Sequence, residues 1–182
     1  MSGKKRDDSY FAAGRRRNRK YMMIIIPIIA AIAVASVAAA VLAPKGFGAL
    51  GSAHEHAVFE VRLDGNVIDF SQSQYQVQSQ FIHVENRDGT TLHRHSTDVP
   101  VGEFFRSVGM DIRDECFIHD NGDQYCEAGD KQLRYFVNGT ESSSIMDYIL
   151  RENDRILINY GNDTQEELQA VFDRLNATPL LK

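Results

Sequence analysis

Residues 22–43, MMIIIPIIAAIAVASVAAAVLA, hold no charged side chain over 22 positions. About 20 apolar residues carry a helix across a bilayer, so this run predicts a transmembrane anchor over 21–43. Pro27 falls near its start, where a helix tolerates proline best. The pattern then changes. PKGFGALGSA (44–53) is rich in Gly and Ala and predicts a flexible spacer. Beyond it, apolar and polar positions begin to alternate. In HAVFEVRLDGNVIDF, Phe59, Val61 and Leu63 alternate with Glu60 and Arg62, and a turn at Asp64–Asn66 leads back through Val67 to Phe70, which predicts a hairpin. SQSQYQVQS (71–79) reads as loop or edge strand. FIHVENRDGTTLHRH predicts a second hairpin around Asp88–Gly89, and CFIHDNGDQYC a third around Asn121–Gly122.

Between the second and third hairpins the period lengthens. Val101, Phe104, Phe105 and Val108 follow i, i+3, i+4, i+7, with Pro100 at the start and Gly109 at the end, and so predict a short helix with one buried face. KQLRYFVNG and DRILINYG predict strands, with a single helical turn between them in SSIMDYIL. TQEELQAVFDRL opens on a capping box, Thr164-x-x-Glu167, and carries an apolar stripe of Leu168, Val171, Phe172 and Leu175. The expected fold is α+β: a transmembrane helix, a domain over 54–161 similar to the β-grasp (ubiquitin-like) order, and a C-terminal amphipathic helix and tail over 162–182. In this reading the hairpin 57–70 is an N-terminal addition to the grasp.

Turn length fixes which side chains meet across a hairpin. A two-residue loop at Asp88–Gly89 sets Val84 against His93 and mixes apolar with polar positions. A three-residue loop Arg87–Gly89, with Gly89 left-handed in a bulge, sets Val84 against Leu92, Glu85 against Thr91 and His83 against His93. The second register separates the faces and is preferred. The same reasoning at Asp120–Gly122 sets Cys116 opposite Cys126, a pair that a cross-strand disulfide can join.

Charge is unevenly placed. The first 20 residues carry eight Lys/Arg and two Asp, whereas the remaining 162 carry 12 Lys/Arg against 23 Asp/Glu. A basic tail (1–20) before an apolar run predicts a cytoplasmic N-terminus, contact with the lipid bilayer, and a domain outside the cell membrane. An acidic body repels phosphate backbones, so nucleic acid is not an expected partner. AAAVLAP also offers a cleavage site for a signal peptide, but the apolar run is longer than an ordinary signal core. An outside location agrees with a disulfide and with three N-x-[ST] glycosylation sequons, at Asn138, Asn162 and Asn176.

The chemistry-bearing pattern is histidine. Five of the six histidines fall in HEHA (His54, His56), in FIHVE (His83) and in LHRH (His93, His95). Spacing by two puts each pair on one face of a strand. With His83 opposite His93 and Glu85 nearby, these side chains form a candidate site for copper or zinc, the cations that imidazole suits. His54 and His56 join it only if the first strand runs alongside. No nucleophile elbow or phosphate loop is present, and no catalytic residues are assigned. The competing readings are thiol–disulfide exchange through Cys116 and Cys126, and a structural subunit docking on a membrane-protein partner. Nine residues separate the cysteines, unlike the Cys-x-x-Cys of redox enzymes.

HEHAVFEVRLDGNVIDFS, FIHVENRDGTTLHRH, DECFIHDNGDQYC, LRYFVNG and DRILINYGN together resemble a family of single-pass extracytoplasmic proteins of ammonia-oxidising archaea, over most of residues 54–163. Members often carry the label protein-disulfide isomerase. The resemblance implies the anchor, the outside location and a setting whose outer-surface enzymes use copper heavily.

Overall fold

The computed structural model describes residues 7–42 and 46–181, with only the backbone described for 7–20 and 39–42. The first six residues of the basic tail, and Pro44 and Lys45 of the expected spacer, lie outside the described residues. The chain divides into an N-terminal helix and a unit that begins at Gly46. Helix α1 (Asp7–Leu42) starts well before the apolar run and continues through Pro27. Its stretch Tyr21–Ala38 has a mean hydropathy of 2.5 and every residue in it is exposed, so one helix here is long and apolar enough to cross a membrane.

The second unit is α+β. Its strands are β1 (Glu55–Leu63), β2 (Asn66–Val67), β3 (Ile82–His83), β4 (Thr91–Arg94), β5 (Asp111–Arg113), β6 (Cys116–Ile118), β7 (Gln124–Cys126), β8 (Gln132–Val137), β9 (Thr140–Ser142) and β10 (Asp154–Gly161). Its helices are α2 (Val101–Ser107) and α3 (Gln165–Ala177). The main sheet runs β3-β4-β1-β10-β8-β9, with β2 folded back on β1, and β5-β6-β7 form a smaller sheet. At the centre β1 and β10 are parallel, while β4 and β8 flank them antiparallel.

The alternation in β1 sets the two layers. Ala57, Phe59, Val61 and Leu63 point into the larger core with Val101, Phe104, Phe105 and Val108 from the α2 region. Val58 points the other way and packs with Phe136 and Leu157 beneath Leu168, Val171, Phe172 and Leu175 of α3. The capping box of α3 forms as expected, with Thr164 Oγ1 accepting from the Glu167 N–H and Glu167 accepting from the Thr164 N–H.

Three expectations need correction. The hairpin over 57–70 is no addition, because its first strand is buried on both faces and forms the centre of the sheet. The spacer is not free from Gly48 onward: the Gly48 N–H bonds Thr97 O at 2.9 Å and the Gly51 N–H bonds His95 O at 2.7 Å. SSIMDYIL forms a hydrogen-bonded turn, Tyr148 N–H to Ile145 O, rather than a helical one.

The connection after β3 also differs, although its register stands. His83 pairs with His93 and Ile82 with Arg94, as the three-residue loop required. The ladder nevertheless stops at His83, and Val84 bridges to Gln76 instead. Asn86 and Arg87, not Gly89, take the left-handed conformation, with φ of 58° each, in a turn closed by the Asp88 N–H on Glu85 O. Gly89 serves close packing: a Cβ there would lie 2.4 Å from the Ser71 nitrogen.

Candidate functional site

Strand register builds a two-row array of imidazoles at one end of the sheet. Across adjacent strands His83 pairs with His93 and His93 with His56, giving an inner row from β3, β4 and β1. Continuing the β4–β1 register by one step sets His95 opposite His54, giving an outer row just beyond the strand ends. The alternate positions, Glu55 and Arg94, point to the opposite face. All five rings lie on the face that α3 covers farther along, where Val58 sits.

The rings close into a pentagon. Centroid separations are 4.8 Å for His54–His56, 4.9 Å for His56–His93, 6.1 Å for His93–His83, 4.9 Å for His83–His95 and 4.8 Å for His95–His54. The inner row is buried, with relative exposures of 7% for His56, 6% for His83 and 3% for His93. His95 is half-buried and His54 is exposed.

Two rings are held in one orientation by groups that only accept hydrogen bonds. His56 Nδ1 lies 3.0 Å from Glu152 Oε2, and the same oxygen accepts the His56 backbone N–H at 2.8 Å. His83 Nδ1 lies 2.7 Å from the Ser79 carbonyl. In each neutral ring Nδ1 therefore carries the proton and Nε2 carries the lone pair. This is how metal-ligating histidines are held, with the second nitrogen donating to a carboxylate or carbonyl. Glu85 adds charge, with Oε2 3.5 Å from His83 Nε2 and Oε1 3.9 Å from His93 Nδ1. A lone pair on His83 Nε2 facing a carboxylate suits a metal cation between them. Burial lowers the His93 pKa to about 4, against the opposing pull of Glu85 and with help from His56, His83 and His95. Burial likewise lowers that of His95, reinforced by His83 and His54. Both rings are thus neutral near pH 7, the form that ligates metals.

Two imidazoles sharing one tetrahedral ion, each nitrogen about 2.0–2.1 Å from it, hold their centroids roughly 5 Å apart. Four edges of the pentagon have that spacing, and His83–His93 is wider at 6.1 Å. Among the described residues, however, no three His, Cys, Asp or Glu side chains already converge as a metal shell. Ring rotation is required to bring the nitrogens inward.

The structure thus brings together His54, His56, His83, His93, His95 and Glu85, and adds one residue that the sequence did not suggest. Glu152 reaches His56 from a turn 96 positions away. That turn is pinned by Glu55 Oε2, which accepts the Glu152 N–H at 2.6 Å, and by the Asn153 N–H on His56 O. Arg94 neutralises Glu55 from 3.9 Å and is itself held by the carbonyls of Leu150 and Ser96. No sequence spacing signals Glu152, because the parallel β1–β10 pairing alone carries it there.

Cys116 and Cys126 lie elsewhere, on the small sheet, directly paired and joined in a disulfide. Of the sequon asparagines, Asn138 is engaged: its amide donates to Asp154 Oδ1 at 2.8 Å and accepts the Arg155 N–H. Asn162 donates to Asp130, and Asn176 is exposed on α3. Comparison of the chain with family models, curated proteins and solved structures gives no match.

Proposed function

We propose that the chain is a membrane-anchored binding module whose imidazole pentagon takes up copper or zinc outside the cell. The observation that carries this reading is the closed ring of five histidines, three of them buried and two with Nδ1 already committed. Imidazole donors suit these cations, and Glu85 and Glu152 supply compensating negative charge. His83, His93 and the inner nitrogen of His56 would hold the ion, with His95 and Glu85 completing the shell and His54 at its exposed edge. The cations before the apolar run of α1 support a cytoplasmic N-terminus and an outside domain, in line with the resemblance to the archaeal single-pass family. The β4-β1-β10-β8 order, with a central parallel pair and one helix on the core face, supports a β-grasp-like arrangement in which β1 is the first strand.

Untagged full-length protein in detergent micelles, dialysed against Zn(II) or Cu(II), should retain about one ion per chain. The His93→Ala/His95→Ala variant should retain none. Equal retention by both proteins rejects the site.

A second reading, thiol–disulfide exchange, is supported by the partly exposed position of the Cys116–Cys126 bond in a peripheral hairpin. A reduction potential below about −300 mV marks that bond as structural and rejects this reading.

A further inference from the structure

Structural metal sites are closed, with every donor buried around the ion. The pentagon is graded instead. His83, His93 and His56 form a buried floor, His95 is half-buried beside His83, and His54 stands exposed in contact with both His56 and His95. His56 and His83 are locked through Nδ1, whereas His54 makes no ring-nitrogen hydrogen bond or ion pair among the described residues. His54 also precedes β1, outside the strand ladder. It can swing outward without breaking a ring hydrogen bond, whereas His56 and His83 cannot.

We propose that this is an exchange site with His54 as its mouth, which deepens the metal reading and rests on it. An incoming ion binds His54 first, passes to His56 or His95, and comes to rest on the floor. At each step one nitrogen–metal bond forms as one bond to water or to the previous ligand breaks, and no electron is transferred. Release runs the same path backward to an external ligand. The module therefore accepts and hands on an ion, rather than using it as a staple for the fold.

The test is stopped-flow loading of the full-length chain in micelles with Zn(II), followed by stripping with a colorimetric chelator. His54→Ala should slow both loading and stripping at least tenfold, while the ion count and dissociation constant stay within twofold of wild type. His119→Ala, a histidine on the small sheet, should match wild type in both rates. Unchanged rates in His54→Ala overturn the proposal, as does a lost ion or a dissociation constant weakened tenfold, because His54 is then a resting ligand. A wild-type chain that takes up no ion removes the underlying metal reading itself, and this inference with it.

Discussion

Glu152 offers the sharpest probe of the site, because it fixes a floor ring, His56, without being one of the imidazoles. Glu152 Oε2 accepts both the backbone N–H and the Nδ1 proton of His56. In Glu152→Gln a carbonyl oxygen remains to accept, so His56 keeps its orientation and loses only the charge on its partner. Hydrogen bonds to charged groups are roughly twice as strong as neutral ones, a difference of about 1 kcal/mol. The Glu152 side chain is 31% exposed, so water offsets part of that difference. The expectation is therefore the low end of the effect of removing an outer partner, about tenfold in affinity, or ~1.4 kcal/mol. Glu152→Ala removes the acceptor of both hydrogen bonds. It should approach a hundredfold loss and also destabilise the fold by about 1–3 kcal/mol, because the His56 N–H loses its partner. Competition titration of Zn(II) against a chelating dye reads the affinity, and thermal unfolding without metal reads the stability. If both variants bind within twofold of wild type, Glu152 does not orient a ligand and the Nδ1-anchoring argument fails.

Other consequences are independent of metal. Replacing both Cys116 and Cys126 by Ser frees a loop with a sequence separation of 10 and should cost about 2.7 kcal/mol in urea unfolding; a loss below about 1 kcal/mol contradicts the chain-entropy account. Gly89→Ala sets a Cβ against the backbone of Ser71 and Phe70 at 2.4 and 2.8 Å, so a cost of about 1–3 kcal/mol is expected, and an unchanged midpoint rejects that packing. Burial, then a 2.7 Å hydrogen bond to Asp154, raises the Tyr148 pKa to about 12. Its folded value lies above the unfolded value near 10, so its contribution is full below pH 10 and is lost as pH rises toward 12. Tyr148→Phe should accordingly flatten the fall in stability between pH 10 and 12, and an unaltered alkaline profile refutes this assignment.

Much of the site was legible because period-two geometry is local. The choice of register over 81–95 rested on keeping Val84 and Leu92 away from His83 and His93, and that separation holds although the turn itself forms two residues earlier than expected. The turn was misread because Gly89 suggested a left-handed position, whereas Asn86 and Arg87 take it and Gly89 is needed for contact with Phe70 and Ser71. The role of β1 was hidden for a different reason. Alternating Phe59, Val61 and Leu63 reads as a half-buried hairpin arm, but Val58 is covered from the other side by α3. The helix lies more than a hundred residues downstream, and no local pattern shows where it docks. The same non-local pairing delivers Glu152 to His56.

The composition of that α3-covered face bears on why the histidines are there. Beneath the helix the face is apolar, through Val58, Phe136 and Leu157. Two residues back along β1 it turns to imidazole at His56 and His93, yet the burial barely changes: Val58 is 0% exposed and His93 3%. A Val or Ile at 56 or 93 would suit a strand and gain about 1.5–3 kcal/mol from such burial. The histidines instead lose solvation, which is why His93 resists protonation down to about pH 4. A solvated polar rim does not account for this, since the inner rings are not solvated. An apolar continuation of the core would be the more stable choice. Polar groups oriented and kept out of water at the expense of stability are what a ligand-binding site requires, and functional sites are where such local inconsistencies concentrate. The corresponding expectation is that His56→Val/His93→Val raises the unfolding temperature of the metal-free chain while abolishing ion uptake. A double variant less stable than wild type would show that the imidazoles serve the fold itself.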